Sequence, residues 1–444
     1  MKETVSLVSL GCPKNLVDSE VILGLLSKEG YSLSSRPSEA QIIIVNTCSF
    51  IQAASREAIE TILDLARYKK KGTCRLLVVS GCLPQRYGRS LEEEFPEVDL
   101  FVGTGDFQNL PEILSKNQKA KSFLSNPTFL YDEKTPRILS TPPFSAYLKI
   151  AEGCSNLCTF CTVPKIRGGY RSRGIRSVLK EARRLVDQGV QEIILIAQDT
   201  TAYGRDLHNG THLEKLLKNL VRVEGLRWIR MLYSYPKPDY FTEGLLKLMA
   251  QEEKICPYLD LPIQHIDDEI LKRMGRRSRS QEVYNLLEKI RTVLPEISLR
   301  TSLIVGFPGE TERHFRALLD FVEKVRFDHL GAFKYSAEEG TPASRLAGSV
   351  PESVKEERLG VLMGRQKKIS LQKHRGLVGR RMEVLIEGQD RQKTVLRGRL
   401  KTQAPEIDGC VMLKGKAKPG DWVEVKITKA LPYDLIGEIE RILP

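Results

Sequence analysis

Three times in the first 82 residues an apolar run gives way to a cysteine, and this repeat constrains the fold more than any other feature of the chain. Val5–Leu10 precedes Gly11-Cys12-Pro-Lys-Asn and an amphipathic stretch from Leu16 to Lys28; Gln41–Asn46 precedes Thr47-Cys48 and a helix-like Ala53–Lys69; Leu76–Ser80 precedes Gly81-Cys82. Apolar strands alternating with helices imply a parallel sheet with crossover connections. Each cysteine then stands just past the carboxyl end of its strand, on the edge where open α/β sheets bind ligands. Cysteine is also a common small core residue, so one such position would carry little weight. Three at corresponding places predict converging thiolates and a three-cysteine iron–sulfur cluster with one open iron. Cys74, in Lys-Lys-Gly-Thr-Cys-Arg, has no strand before it and reads as a bystander.

A second cysteine group is packed into eight residues, in Glu152-Gly-Cys154-Ser-Asn-Leu-Cys158-Thr-Phe-Cys161. Structural zinc takes four ligands, usually as paired knuckles; no second knuckle follows, and the next histidine is His208. Three cysteines on a 4Fe–4S cluster leave one iron for a non-protein ligand. The C-x-x-x-C-x-x-C spacing resembles the signature of radical S-adenosylmethionine (SAM) enzymes. That resemblance implies chelation of the open iron by the amino and carboxylate groups of SAM. It also implies electron transfer into the sulfonium and a 5′-deoxyadenosyl radical able to take hydrogen from an unactivated carbon.

At 444 residues the chain exceeds a single core. An N-terminal parallel α/β domain is expected over 1–118. From Lys119 periodicity is lost and Pro127, Pro136, Pro142 and Pro143 gather, so 119–139 reads as a linker. Residues 140–373 and 374–444 form two further domains. No apolar run is long enough to span a membrane, and the start, Met1-Lys-Glu-Thr-Val-Ser-Leu, has no apolar h-region of a secretory signal. Nine cysteines without such a signal suit a reducing cytoplasm, and a net charge of +13 suggests an anionic partner such as RNA or a ribonucleoprotein.

In the central segment, strands Ala146–Ala151, Glu192–Ala197, Arg227–Tyr233, Tyr258–Ile263, Ser298–Val305 and His329–Tyr335 alternate with helices, one of them a helical region over Asp267–Val293. Six strands suit a partial (β/α)6 barrel, whose active-site residues stand at the carboxyl ends of its strands. Those ends read Gln198-Asp199-Thr, Tyr233-Ser-Tyr235-Pro, Gln264-His265 and Gly306-Phe-Pro-Gly309-Glu310-Thr. Asp199, Gln264, Gly306, Gly309 and Glu310 are therefore candidates for a SAM or substrate pocket. Gln264 and His265 could equally cap their strand. The glycines either turn the chain or let backbone approach a ligand. Arg167, Arg171, Arg173 and Arg176 form either a solvated loop or a charged partner for a carboxylate, with Arg173 the candidate contact.

The last segment holds five short strand-like runs, Met382–Ile386, Thr394–Arg399, Val411–Leu413, Trp422–Ile427 and Ile436–Ile439. They suggest a five-stranded, OB-like β-barrel, a fold used both for oligonucleotides and for protein docking. Val354–Arg375 is a charged helix packing on this barrel or connecting to it.

Taken together, the chain resembles the methylthiotransferase family over essentially its whole length. The resemblance rests on Val8-Ser-Leu-Gly-Cys-Pro-Lys-Asn-Leu-Val-Asp-Ser-Glu20, Val45-Asn-Thr-Cys-Ser-Phe50, Asp260-Leu-Pro-Ile-Gln-His265, Ile304-Val-Gly-Phe-Pro-Gly-Glu-Thr311 and Phe333-Lys-Tyr-Ser336. Ala404-Pro-Glu-Ile-Asp-Gly409 and Tyr433-Asp-Leu-Ile-Gly437 point to the branch acting on small-subunit ribosomal protein twelve. It implies an auxiliary 4Fe–4S cluster on Cys12, Cys48 and Cys82, a radical 4Fe–4S cluster on Cys154, Cys158 and Cys161, and a C-terminal TRAM domain. One SAM would methylate a sulfur on the auxiliary cluster. A second would give the radical that takes hydrogen from the β-carbon of an aspartate, where the methylthio group is joined. Implied partners are the ribosomal protein or small subunit, an electron donor such as flavodoxin or ferredoxin, and RNA through the TRAM domain; the enzyme is expected to be a monomer. Gly168-Gly169 is followed by Tyr170, a departure from the Gly-Gly-Glu run of the wider radical SAM pattern. Two other readings stand beside this one: a transfer-RNA (adenosine) methylthiotransferase with the same six ligands, and a non-catalytic iron–sulfur protein that binds RNA.

Overall fold

The computed structural model describes residues 3–116, 120–389 and 395–444. The N-terminal domain is a six-stranded parallel sheet in the order Ser32–Leu33, Thr4–Ser9, Ile42–Thr47, Leu76–Gly81, Leu100–Gly103, Ser122–Phe123. The first strand therefore lies between the second and third, and the chain leaves the sheet in opposite directions on either side of it. Such a switch point opens a crevice at the carboxyl ends of the two strands. Ile42–Thr47 is buried along its length because helices cover both faces. Val5, Ile42 and Ile44 pack with Val17, Val21 and Leu26 of helix Pro13–Lys28. Ile43, Val45 and Val79 pack with Ala58, Ile62 and Leu65 of helix Gln52–Ala66.

The segment expected to be a linker does more than tether. Ser122–Phe123 adds the edge strand to the N-terminal sheet. Arg137, almost fully buried, donates to Glu20 of the first helix at 2.6 Å and to Glu181 of helix Ile175–Asp187 at 2.9 Å. Proline content marked irregular backbone here, but the side chains are spent on docking. The expected boundary at 118 and 119 lies outside the described residues.

Six parallel strands follow in chain order. Ser145–Lys149, Glu192–Ile196 and Trp228–Met231 form one sheet; Tyr258–Asp260, Ser298–Val305 and His329–Lys334 form the next. Backbone bonds from Cys256 N to Ile229 O and from Ser234 N to Asp260 O, both 2.9 Å, join the sheets into a partial barrel. Alternation assigns the faces. Leu148, Ile193, Leu195, Ile229 and Leu303 face the outer helices, while Tyr147, Ile194, Trp228 and Tyr258 face inward. The inward set shares one core with the first helix and with Leu385, Ala404 and Trp422 of the C-terminal domain. The helical region expected over 267–293 is two helices, Asp268–Arg273 and Ser280–Val293, parted at Gly275, whose φ is +68°.

The C-terminal domain is a closed barrel of Arg381–Gln389, Leu396–Arg399, Val411–Lys414, Leu435–Leu443 and Trp422–Ala430, in that order. Thr394, expected to open its second strand, lies outside the described residues. Helix Glu352–Arg375 packs back on the central barrel, where Gln366 Nε2 donates to Phe327 O at 3.0 Å. No described helix is long and apolar enough to cross a membrane.

Candidate active site

Cys12, Cys48 and Cys82 are drawn together by side chains between their loops. The wholly buried amide of Asn15 donates to Leu10 O at 2.7 Å and to Asn46 O and Thr47 O at 3.2 Å, locking the first cysteine loop to the second. Thr47 Oγ1 donates to Ser80 O at 2.6 Å and accepts from Leu83 N at 3.2 Å, locking the second to the third. Gly11, at φ +88°, lies so close that a Cβ there would stand 2.9 Å from Cys48 Sγ. Burial, reinforced by the neighbouring thiols, pushes Cys48 up to about 12. Burial likewise raises Cys82. Cys12 goes the other way: burial would raise it, but Lys14 and Arg167 together bring it below the ordinary thiol value.

The second cysteine group forms a loop braced on both sides. Ala151–Glu152 pairs antiparallel with Arg171–Ser172, and Cys154 N donates to Gly168 O at 3.1 Å. Tyr170, standing where the wider radical SAM pattern has Glu, donates from N to Ser155 Oγ at 3.2 Å and from its hydroxyl to Asp199 O at 2.8 Å. Thr159 N donates to Met274 O at 2.9 Å, and a Cβ on Gly275 would lie 2.5 Å from Leu157 O. The helix break at Gly275 is thus where the cysteine loop seats. Arg276, the next residue, lies across the Tyr235 ring at 4.2 Å with Nη1 3.7 Å from Cys158 Sγ. Burial raises Cys154 to about 11 and Cys161 to about 12, so a bound cation must supply the stabilisation that makes these thiols ligands.

The donor chemistry, three thiols at each site, fits iron–sulfur clusters. Tetrahedral zinc with bonds of about 2.3 Å holds its sulfurs roughly 3.8 Å apart. In neither cysteine triplet do all three sulfurs lie within 4.8 Å of one another; among the described residues only Asp267, Glu269 and His314 meet that limit. Each triplet offers three thiols, which as cluster ligands would leave one iron open.

A buried polar network joins the two sites. Arg167 donates from Nη2 to Cys82 Sγ at 3.5 Å and to Asn15 Oδ1 at 3.0 Å, and from Nη1 to Asp18. Lys149, at the end of the first barrel strand, bonds Asp18 and, at 2.6 Å, Glu152. Gln198 Nε2 reaches Glu152 at 2.5 Å. Burial works against ionisation of Glu152, but Lys149 and Arg167 hold its pKa well below the carboxylate range. Asp18 and Lys149 were not singled out in the sequence. One signal could have found Asp18: helix Pro13–Lys28 buries Asn15, Asp18, Ser19 and Glu20 among its apolar residues, and buried polar groups must be partnered.

The remaining candidates divide. Asp199 is at the site: its carboxylate accepts from Asn156 of the cysteine loop at 2.8 Å and from Thr201 at 2.7 Å, and burial raises its pKa. Gln264 lies four residues past strand Tyr258–Asp260 at φ +74°, its backbone bonded to Ser302 O and Ile304 N at 2.8 Å. Glu310 is engaged by the chain itself. It accepts from Gly306 N at 2.8 Å and Arg358 at 2.6 Å, with His265 Nε2 3.4 Å away. Gly306 lies under the Lys355 side chain, and Gly309 against Arg273. These glycines accommodate the chain's own side chains, not an open approach to a ligand. Arg173 is not brought to the site: its guanidinium bonds Glu181 at 2.5 Å and Lys149 O at 2.9 Å and lies 4.4 Å from the Tyr131 ring. Cys74 is buried and donates to Leu76 O at 3.5 Å, apart from both triplets.

The C-terminal barrel closes the other end of the lumen. Asp408 accepts from Tyr258 hydroxyl at 2.7 Å and faces Arg300 at 3.4 Å. Buried Glu192 holds Arg399 at 2.5 Å and Arg230 at 3.1 Å. The Ala404–Gly409 stretch is therefore used for docking between domains.

Residues 4–103 match the Uncharacterized protein family UPF0004, residues 148–322 the Radical SAM superfamily and residues 378–439 the TRAM domain. The chain is 53% identical over 444 residues to the ribosomal protein uS12 methylthiotransferase RimO of Geotalea uraniireducens, covering 99% of each. It is 53% identical over 443 residues to the protein of the same name from Geobacter sulfurreducens, again over 99% of each. Among solved structures, the radical SAM methyltransferase TsrM from Kitasatospora setae aligns with a TM-score of 0.57 at 17% identity, covering 77% of each chain. The cobalamin-dependent SAM radical enzyme OxsB aligns at 0.54 and 16%, covering 83% of this chain and 56% of that one. At such identities the likeness shows shared fold alone.

Proposed function

Because the chain belongs to the ribosomal protein uS12 methylthiotransferase RimO family, we propose that it replaces a C–H bond at the β-carbon of a uS12 aspartate with C–SCH3. The observation that carries this reading is the buried network in which Arg167 reaches Cys82 of one cysteine triplet while Gly168 O holds Cys154 of the other. Sulfur insertion needs a radical site and a sulfur-bearing site in fixed relation, and a shared ion network supplies that relation without a hinge. When bound, the cluster on Cys154, Cys158 and Cys161 supplies the electron that cleaves SAM, and the one on Cys12, Cys48 and Cys82 supplies the sulfur to be transferred.

The chain's own residues then orient and exclude water. Arg167 presents an N–H to Cys82 sulfur, and hydrogen bonds to a cluster's sulfurs tune its potential. Asp18, Glu152, Lys149 and Arg167 neutralise one another in a dry seam between the domains. Asn156 and Asp199 hold the cysteine loop in one conformation. Asp199 and Gln264 border the SAM pocket, as does Arg276, whose guanidinium beside Cys158 is placed to meet an anionic cosubstrate. The net charge of +13 suits approach to a ribosomal particle, with the C-terminal barrel contacting RNA. A monomeric cytoplasmic enzyme reduced by a flavodoxin or ferredoxin completes the reading.

Mass spectrometry of ribosomal proteins and transfer RNA from a deletion strain tests it. The methylthio group should vanish from the uS12 aspartate and return on complementation. A persistent aspartate modification with loss of a methylthio-nucleoside would overturn the reading in favour of a transfer-RNA substrate. Alanine at Cys12, Cys48 and Cys82 should halve the iron and sulfide content of reconstituted protein.

A further inference from the structure

One cation at the junction of the two cysteine sites has no carboxylate partner among the described residues. Lys14, two positions past Cys12, is partly buried, and its Nζ lies 3.1 Å from the centroid of the Tyr233 ring. Tyr233, two residues past the third barrel strand, sits at φ +64°, a left-handed conformation that a bulky residue seldom adopts. Such strain persists where surrounding structure enforces it, and it clusters at binding sites. Here it turns the ring under the lysine. The electrostatic neighbours of the ammonium are Cys12, Arg167, Asp260 and Glu152, from both domains.

The other cations nearby are committed. Lys149 and Arg167 are held by Asp18 and Glu152. Arg300 is held by Asp260 at 2.9 Å and by Asp408 at 3.4 Å. Arg276 bonds Pro262 O and approaches Cys158 sulfur, on the radical side. Lys14, by contrast, has an aromatic face as its one close contact among the described residues, an arrangement that leaves its N–H donors free for an incoming anion.

We propose that Lys14 binds the carboxylate of the substrate aspartate, with Tyr233 as its platform, and that this contact selects an acidic side chain over a nucleobase. The assignment rests on the function proposed above. Chemistry favours it because the β-carbon of aspartate is bonded directly to the carboxylate carbon. Gripping the carboxylate therefore fixes the reacting carbon one bond away, beside Cys12 of the sulfur-bearing site, as orientation catalysis requires. An adenosine base offers no anion to this lysine.

The test uses cluster-loaded protein with SAM but no reductant, and fluorescent peptides of the uS12 target loop carrying the aspartate or asparagine in its place. Anisotropy should show wild type preferring the aspartyl peptide about tenfold or more, as expected of a charge-assisted contact. Lys14→Met should bring the preference below about twofold, while Lys14→Arg and Tyr233→Phe, which keep charge and ring, should retain it. Lys14→Gln, with its iron content measured alongside, supplies the same comparison where the Met variant loads poorly. A preference that survives in Lys14→Met and Lys14→Gln overturns the lysine assignment while leaving the function standing. A wild type that binds both peptides equally also overturns the assignment, whereas the substrate reading stands or falls on the deletion-strain spectra.

Discussion

The guanidinium of Arg167 donates to the sulfur of Cys82 at 3.5 Å, across 85 residues of chain. The adjacent carbonyl, Gly168 O, accepts from Cys154 N at 3.1 Å. Two consecutive residues thus contact cysteines of both sites. Arg167 is also the buried counter-charge of Asp18.

Replacing Arg167 with Met should therefore destabilise the protein strongly. Removing one member of a buried pair leaves the other uncompensated and costs about 3–5 kcal/mol. Denaturant unfolding measures the loss. A change under 1 kcal/mol would show that Asp18 is adequately served by Lys149.

Gly275→Ala should damage the radical site selectively. The position has φ +68°, and its new Cβ would lie 2.5 Å from Leu157 O in the cysteine loop. Left-handed backbone alone costs about 1–2 kcal/mol for a residue with a Cβ, and the loop must also shift. Reductive SAM cleavage should fall by about tenfold or more, while iron bound through Cys12, Cys48 and Cys82 is retained. Normal cleavage in the variant would mean that the loop does not depend on this seat.

Acid should loosen the C-terminal domain through Glu192. Burial opposes its ionisation, but Arg399 and Arg230 hold its pKa near 2, against 4.5 for the free group. A lowered folded pKa means the unfolded chain binds the proton more tightly. The associated stability is then complete above about pH 4.5 and disappears as pH falls toward 2. The shift corresponds to roughly 3 kcal/mol. Glu192→Gln should flatten this part of a stability–pH profile; an unchanged slope would assign acid sensitivity elsewhere.

Asp408→Ala should uncouple the C-terminal barrel without touching either cysteine triplet. It leaves the Tyr258 hydroxyl and Arg300 short of a buried acceptor, at about 1–3 kcal/mol for such a group. Limited proteolysis should release the domain sooner than in wild type while iron content stays constant. Equal proteolysis rates would show that Glu192 and its arginines suffice for docking.

Much of this architecture was legible along the chain. Strand runs near Cys12, Cys48 and Cys82 were visible because apolar periodicity is local, and the 154–161 spacing was visible because its cysteines lie within one loop. The contribution of Gly306, Gly309 and Glu310 was not legible as it stands. Whether a glycine faces a ligand or a side chain depends on what covers it, and here Lys355 and Arg273, brought from distant helices, do so. The partner of Arg173 was hidden for the same reason, since Glu181 is on the outer helix. The helical region over 267–293 was read without its break, because Gly275 becomes a break only where the cysteine loop packs against it.

By itself the amino-acid sequence determined the strand–cysteine repeat, the barrel and the two cysteine triplets, because each follows from patterns within a few tens of residues. Only the tertiary structure decided how the two sites are joined. Lys149 meets Asp18 across 131 residues and Arg167 meets Asp18 across 149. Those charges are affordable in a dry interior only as a set, and which charges form the set is decided when the two domains dock. The same docking turned Tyr233 beneath Lys14, a juxtaposition that neither segment encodes alone.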